Sequence, residues 1–327
     1  MSALSRNPDH ARPRPRTVGA VTAAAIVAAT LTACSTTDTA DDSPCAPTAA
    51  SKSDGARSIA IPDADVTVVD PGQGPAQALT SSPAVDSPQQ VTLETSSLET
   101  SVAPTSRTSD TNQVQKTEQQ LVTPLTARTV CDDPASLEFR IGAPTSKDTE
   151  LQGLLGALDG TTGGISYTAG MAPTRLRLKP TDAAESPARS ALEQSLIGAL
   201  DYAVPLPTVP VAPGAVWRSV RTVSAAATVT QTMTVTLTRR DGDVATLDVT
   251  VDEAPVNSVF AIPGSQATLH IARYSMAGSG TVTVDLRRLL PTAGTLRVKG
   301  ARELVGDDPN RPILQQNEFT LTWRKSQ

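Results

Sequence analysis

The sequence predicts an α+β fold in which a large antiparallel β-sheet or half-barrel packs against two short helices. From residue 215 to 325, apolar and polar residues alternate, which is the period of strands that bury one face. Two segments near 147–159 and 187–203 instead space their apolar residues as one face of a helix does. A sheet with water on one side needs a cover on the other, and we expect the helices to provide it.

The first 33 residues have the layout of a secretory signal. Residues 18–33 are apolar and end in small residues, and three positive charges precede them: Arg12, Arg14 and Arg16. The alternative, a membrane-spanning helix, needs about 20 apolar residues. This segment is shorter and is interrupted by Thr22 and Thr30, so we favour a cleaved signal.

The end of this signal, Leu31-Thr32-Ala33-Cys34, resembles the lipobox of bacterial lipoproteins. The resemblance implies cleavage before Cys34 and a diacylglyceryl group on its sulfur, with acyl chains such as palmitate. Two chains suit stable anchoring, because a single chain binds a membrane only marginally. The expected location is the extracellular face of the cell membrane. The alternative is an ordinary signal peptide with an incidental cysteine.

The charge balance argues against nucleic acid as a partner. Removal of residues 1–33 takes away four Arg and one Asp, leaving 24 basic and 32 acidic residues and a net charge near −8. Such a surface repels phosphate backbones and anionic headgroups. We therefore expect membrane attachment through the lipid on Cys34 alone.

Two further cysteines, Cys45 and Cys131, remain once Cys34 is acylated. Disulfides persist outside the cytoplasm, so we hypothesise a Cys45–Cys131 bridge; two free thiols are the alternative. Neither cysteine has a C-x-x-C neighbour or a nearby histidine, so no redox or zinc site is expected. The sequence predicts no cofactor and no metal.

Residues 34–58 are rich in Ser, Thr, Asp, Ala and Pro and predict a flexible stalk below a single domain over 59–327. The domain begins with strand patterns in four places. Thr and Gln dominate there, which leaves two alternatives open, a long exposed β-surface and a partly disordered insert at Ala103–Asn112. These patterns lie at 61–70, which a Pro-Gly turn closes, and at Gln89–Leu98, Val114–Arg128 and Leu137–Ile141.

Each helix carries its own start and stop signals. The first is expected to begin at Thr145 or Ser146 as N-cap and to end at Gly160. The second has Ser186 before Pro187, a residue tolerated in the first helical turn, and Pro205 ends it. Strands are expected between the helices at 164–168 and 174–179.

The C-terminal part predicts a meander of seven strands. A two-residue Asp241-Gly242 turn would place Leu237 opposite Thr246, so we expect an odd loop, 240–242 or 241–243, with a bulge near Gly242. Gly278-Ser-Gly280 is expected at a hairpin tip. The remaining strands are expected at Val216–Val223, Ala267–Met276, Thr281–Leu290, Thr295–Leu304 and Gln315–Arg324.

The segment before the meander contains Leu206-Pro-Thr-Val-Pro-Val-Ala-Pro-Gly-Ala-Val-Trp217. With the preceding helix and the following hairpins, it resembles a family of actinobacterial lipoproteins built on a domain of unknown function. The resemblance covers about Val66 to Trp323 and implies no chemistry. The architecture is also similar, more distantly, to mycobacterial lipid-carrier lipoproteins, whose half-barrel encloses acyl chains; this is an analogy of fold.

No catalytic constellation is evident, and we expect no enzyme. His270 lies between Leu269 and Ile271 on the polar side of a strand, and no G-x-S-x-G elbow is present. Neither a calcium loop nor a phosphate-binding loop can be found.

Two functions remain open. The first is binding or carrying a lipid or glycolipid of the cell envelope, with an apolar lipid as ligand. The alternative is a non-catalytic structural or protein-interaction role in the envelope. A hydrolase that uses His270 is the least favoured hypothesis.

Overall fold

The computed structural model describes residues 43–47, 55–104, 112–262, 264–308 and 310–326. The predicted signal peptide, Cys34 and most of the predicted insert after Ala103 lie outside these described residues. Within them, the chain forms fourteen strands and two α-helices. The strands are β1 (Arg57–Ala60), β2 (Asp65–Asp70), β3 (Gln89–Pro104), β4 (Asn112–Val130), β5 (Asp133–Ile141), β6 (Thr162–Tyr167), β7 (Pro173–Lys179), β8 (Val216–Ser224), β9 (Thr228–Asp241), β10 (Val244–Pro255), β11 (Val259–Ala261), β12 (Thr268–Asp285), β13 (Ala293–Val305) and β14 (Ile313–Lys325). The helices are α1 (Thr149–Leu155), continued by a 3₁₀ turn at Gly156–Leu158, and α2 (Ser186–Asp201).

All the strands belong to one antiparallel sheet. Their order is β1-β7-β6-β5-β4-β3-β14-β13-β12-β10-β9-β8-β2, and β11 pairs with β12. The edge strands β1 and β2 do not pair with each other in the described part of the chain, so the sheet is open. This confirms the predicted class in its broad form, an antiparallel sheet with two short helices. It also shows that the N-terminal strands join the same sheet as the meander.

The helices bury one half of the covered face, which is the face of the sheet that the helices contact. Leucines of α1 and α2 pack with Leu93, Leu121 and Trp323 of the sheet. The other half is covered by the chain after α2. There Leu206 and Trp217 pack over β9, β10 and β12, and the indole Nε1 of Trp217 donates to the Pro205 carbonyl at 2.9 Å.

Both helix starts differ from the predictions. The N-cap of α1 is Asp148, not Thr145 or Ser146, and its carboxylate accepts from the amides of Glu150 and Leu151. A carboxylate at this end also suits the positive pole of the helix. The N-cap of α2 is Glu185, so Ser186 is the first helical residue, and no side chain caps this end.

The predicted hairpin tip at Gly278-Ser-Gly280 is wrong. Both glycines lie inside β12, which runs through the two strands predicted around them. A Cβ at Gly278 would meet the Arg297 carbonyl and Val298, and one at Gly280 would meet β13 in the same way. The glycines therefore permit close approach of β13 instead of a turn.

The β9–β10 hairpin has a two-residue turn, Gly242-Asp243, in place of the predicted odd loop. The extra residue is a bulge in β9 near Thr238, so the shift lies between Thr246 and Leu247. Beyond the bulge, Leu247 faces Leu237 as the apolar pattern requires. The prediction of apolar against apolar is thus confirmed, but the irregularity lies in the strand and not in the loop.

Part of the predicted stalk lies against the sheet. Cys45 and Cys131 form a disulfide with 5.2 Å between their Cα atoms. Beside it, Ala46 forms a bridge with Val130 and is 2% exposed. The first strand begins at Arg57, two residues before the expected start of the domain.

Candidate functional site

A cavity of about 330 Å³ lies on the covered face, where α2 ends, and opens to solvent on one side. The turn between β8 and β9 forms one wall, and β9, β10, β12, β13 and β14 supply the others. Its volume is at the lower end of the 300–1,000 Å³ that is typical of sites for small organic ligands. Part of the lining is apolar, including Val223, Ala226, Val229 and Met276, and the remainder is polar.

Strand register places three polar side chains in one row across the covered face, and two of them, Gln231 and Glu253, line the cavity. Arg221 of β8 lies directly opposite Gln231 of β9, and Gln231 lies opposite Glu253 of β10. The next positions across the sheet are Met276 of β12 and Gly300 of β13. We call Arg221, Gln231 and Glu253 the polar row. Each of the three is in phase with the side chains that its strand presents to the covered face, most of which are apolar.

Glu253 is the centre of a hydrogen-bond network. Its Oε1 accepts from the Tyr202 hydroxyl at 2.8 Å and from Gln231 Nε2 at 3.3 Å, and its Oε2 accepts from the Tyr274 hydroxyl at 3.0 Å. Burial raises the pKa of both tyrosines, and the Glu253 charge raises them further. The two hydroxyls therefore remain protonated donors.

Arg221 joins the polar row to the helix above it. The side chain is 3% exposed, and its guanidinium donates to the carbonyls of Leu200 at 3.3 Å and Ala203 at 2.7 Å. Leu200 lies in the last turn of α2, and its carbonyl also accepts from the Ala203 amide at 3.1 Å; Ala203 lies two residues beyond the helix. Carbonyls at this end have no partner farther along the helix. Arg221 thus caps the helix and holds its end over the cavity.

Asp201 is the last residue of α2 and lines the cavity. A carboxylate at a helix C-terminus faces the negative pole of the helix. Burial raises the pKa of Asp201 to about 6; the Arg221 charge opposes this shift and the Glu253 charge adds to it. The site therefore holds two carboxylates, and its surroundings disfavour the ionised form of one of them, Asp201.

Two aromatic contacts fix the walls. The Tyr202 ring stacks on Phe319, with 5.3 Å between centroids. The guanidinium of Arg302, another lining residue, lies 4.4 Å from the centroid of the Phe260 ring. Its Nε donates to Gln315 Oε1 at 2.7 Å, and its Nη2 lies 3.9 Å from Glu99. Arg302 is therefore held by groups of the sheet.

One polar atom of the site has no partner. Gln231 is 2% exposed, and its Oε1 accepts no hydrogen bond within the described part of the chain. A buried amide oxygen without a donor costs about 1–3 kcal/mol. A ligand or a water molecule that donates to it would remove this cost.

The apolar interior beneath the helices is closely packed. The two apolar cavities there measure about 30 and 10 Å³. A single water molecule occupies about 30 Å³ of liquid. Side chains thus fill the space beneath the helices, and the cavity at the end of α2 is much larger than either of these two.

The residues singled out from the sequence do not gather at this cavity. Cys34 lies outside the described residues, and the Cys45–Cys131 disulfide joins the segment at 43–47 to the end of β4. His270 is exposed on β12, where it pairs with Val259 and Val305. It forms no triad with the residues described.

The sequence carried a signal for the cavity that the alternation alone did not reveal. Arg221 occurs two residues before Val223, Gln231 between Val229 and Met233, and Glu253 two residues after Val251. Each is a polar residue in phase with a buried face. Buried polar groups require partners, so three on neighbouring strands indicate a shared site.

Within the ranges that the structure describes, no helix is both long and apolar enough to cross a membrane, and no group of three His, Cys, Asp or Glu residues is placed to hold a metal ion. No protein-family model and no curated protein matches this chain.

Proposed function

We propose that the chain is a lipoprotein, anchored through Cys34 at the extracellular face of the cell membrane, that binds an amphiphile such as a lipid or glycolipid of the envelope. The observation that carries this proposal is the 330 Å³ cavity at the end of α2. Its role is binding rather than catalysis.

The lining of the cavity supports an amphiphilic ligand. Asp201, Gln231 and Glu253 offer hydrogen-bonding groups, and Val229 and Met276 supply apolar surface beside them. A polar headgroup bound by the first group of residues leaves the start of an apolar chain against the second. Ligand sites typically combine an apolar lining with a few placed polar groups.

The packed interior limits how much of the ligand is enclosed. The apolar cavities beneath the helices are too small for an acyl chain. The ligand's chain therefore leaves through the open side of the cavity, and the protein holds mainly the headgroup. This differs from the carrier analogy, in which a half-barrel encloses whole chains.

The packed interior also favours the alternative function, a structural or interaction role in the envelope. In that case the open sheet would offer its edges, where β2 carries Val69 at 66% exposure. A free strand edge is a template for pairing with another chain. This alternative requires no ligand in the cavity.

The test is purification of the full chain from its native host, followed by native mass spectrometry. We expect a co-purifying amphiphile that is lost in Ala226→Trp, which fills the cavity from the β8–β9 turn. The matched control is Val244→Trp, which places the same side chain at the start of β10, at the other end of the β9–β10 pair, and should retain the ligand. A chain that carries no amphiphile, or an Ala226→Trp variant that still carries it, would argue for the alternative.

A further inference from the structure

We propose that the polar end of the ligand is a primary ammonium group, bound between Asp201, Glu253 and Gln231. The inference rests on the proposed function, because it names the headgroup of the amphiphile that the same cavity would hold. The classes of molecule concerned are amino lipids and lipids with an amino sugar as headgroup.

The hydrogen-bond balance of the site favours a donor. Both tyrosine hydroxyls and the Gln231 amide nitrogen already donate to Glu253. The groups that can still form a hydrogen bond are acceptors. Gln231 Oε1 has no partner, and the Asp201 carboxylate forms no hydrogen bond or ion pair within 4 Å among the described residues. An ionised carboxylate accepts at about four lone-pair positions, so Glu253 also keeps one free.

The placement of the arginine donors favours a cation. Two carboxylates line the cavity, and the two nearest guanidinium groups donate to other acceptors. Arg221 donates to the carbonyls at the end of α2, and Arg302 is held by Gln315, Glu99 and the Phe260 ring. A cationic ligand would compensate Asp201, which faces Arg221 of β8 and Glu253 of β10 and which now stands at the unfavourable end of its helix.

The number of hydrogen-bond donors distinguishes a primary from a quaternary amine. A primary ammonium has three N–H donors, which match the three acceptors Asp201, Glu253 and Gln231. A trimethylammonium group carries the same charge without a donor and would leave Gln231 Oε1 unpartnered. Cages for quaternary ammonium groups are aromatic, whereas the acceptors here are oxygens.

The test compares four short, soluble probes that share one hexyl chain: hexylammonium, hexyltrimethylammonium, hexanol and hexyl sulfate. Their affinities are measured by isothermal titration calorimetry at pH 7.5 on the full chain in nanodiscs, with empty nanodiscs as the blank. We expect hexylammonium to bind about tenfold more tightly than hexanol, because one charge-assisted hydrogen bond is worth about that factor. We expect hexyl sulfate to bind most weakly.

Two variants test whether Asp201 binds the ammonium group. Asp201→Asn should weaken hexylammonium about tenfold and leave hexanol unchanged. Asp252→Asn is the control, because it removes the same charge from the exposed face of β10 next to Glu253. It should change neither affinity. The thermal midpoint of each variant shows that it is folded.

The outcomes separate the two proposals. Equal affinity for all four probes overturns the ammonium inference and leaves an amphiphile site in place. Tightest binding of hexyl sulfate also overturns it and would point to Arg302. A loss of hexanol affinity in Asp201→Asn equal to the loss for hexylammonium overturns it too, because Asp201 would then act on the shape of the cavity. If no probe binds, the proposed function fails together with the inference.

Discussion

Replacement of Arg221 by methionine tests how the end of α2 is held over the cavity. The guanidinium is 3% exposed and donates to the carbonyls of Leu200 and Ala203 at 3.3 and 2.7 Å. Arg221→Met keeps most of the apolar stem and removes both donors. The Ala203 carbonyl loses its donor, which costs about 1–3 kcal/mol, whereas the Leu200 carbonyl keeps the backbone amide of Ala203 at 3.1 Å.

The gain from no longer burying a charge offsets part of this loss. The expected net cost in the free energy of unfolding is about 1–3 kcal/mol. For a domain of this size, about 1 kcal/mol corresponds to roughly 2–4 °C, so the thermal midpoint should fall by roughly 2–12 °C. Differential scanning calorimetry and urea denaturation followed by circular dichroism measure these quantities.

A matched control lies on the same strand. Arg218→Met removes a guanidinium from the exposed face of β8 and should change the free energy of unfolding by less than about 0.5 kcal/mol. Arg221→Met should also raise the pKa of Asp201 further, because the Arg221 charge now lowers it. If Arg221→Met were as stable as Arg218→Met, the capping role of Arg221 would be refuted.

Three further predictions concern Asp201, the Cys45–Cys131 disulfide and Cys34. Because folding raises the pKa of Asp201, this group contributes roughly 2–3 kcal/mol to the free energy of unfolding below about pH 4. The contribution is lost as the pH rises through about 6. Urea melts between pH 4 and 7 should therefore show stability falling with pH, and Asp201→Asn should flatten that dependence; an unchanged slope would contradict it. Reduction of the Cys45–Cys131 disulfide, which closes a loop with a sequence separation of 86, should cost about 2–4 kcal/mol, and thiol labelling should find both cysteines blocked until reductant is added. Cys34→Ala should abolish labelling by a palmitate analogue and release the chain from the membrane fraction, whereas a variant that stays labelled would refute the lipobox assignment.

The strands with one buried face could be predicted from the sequence. In β9, β10 and β14 the apolar residues follow the period of a strand, because every second side chain is removed from water. In β14, Phe319, Leu321 and Trp323 alternate with polar residues and pack in the same apolar cluster. The two helices could also be predicted from the spacing of their apolar residues. For α2, the prolines at 187 and 205 indicate the same segment.

The breaks within strands could not be placed from local pattern. Glycine weakens a strand when it is considered alone, so Gly278 and Gly280 indicated a turn. Their actual role depends on how closely β13 approaches, which is a property of the assembled sheet. The bulge near Thr238 could not be placed from local pattern either. An extra residue in the strand gives the same pairing of apolar residues as an extra residue in the loop.

The cavity could have been predicted only in part. The positions of Gln231 and Glu253 on buried faces were visible in the sequence, but their alignment in one row depends on the register of three strands. Asp201 gave no signal of its own. Asp201 reaches the site because α2 ends above β8, where Arg221 binds the carbonyls of Leu200 and Ala203 on either side of Asp201.

The most direct test of the binding account is a crystal structure of the protein with hexylammonium bound. The account predicts the ligand nitrogen within about 2.7–3.2 Å of an Asp201 or Glu253 carboxylate oxygen, with its alkyl chain toward Val229 and Met276. A cavity that stays empty at a saturating concentration of the probe, or a nitrogen that contacts neither carboxylate, would contradict it.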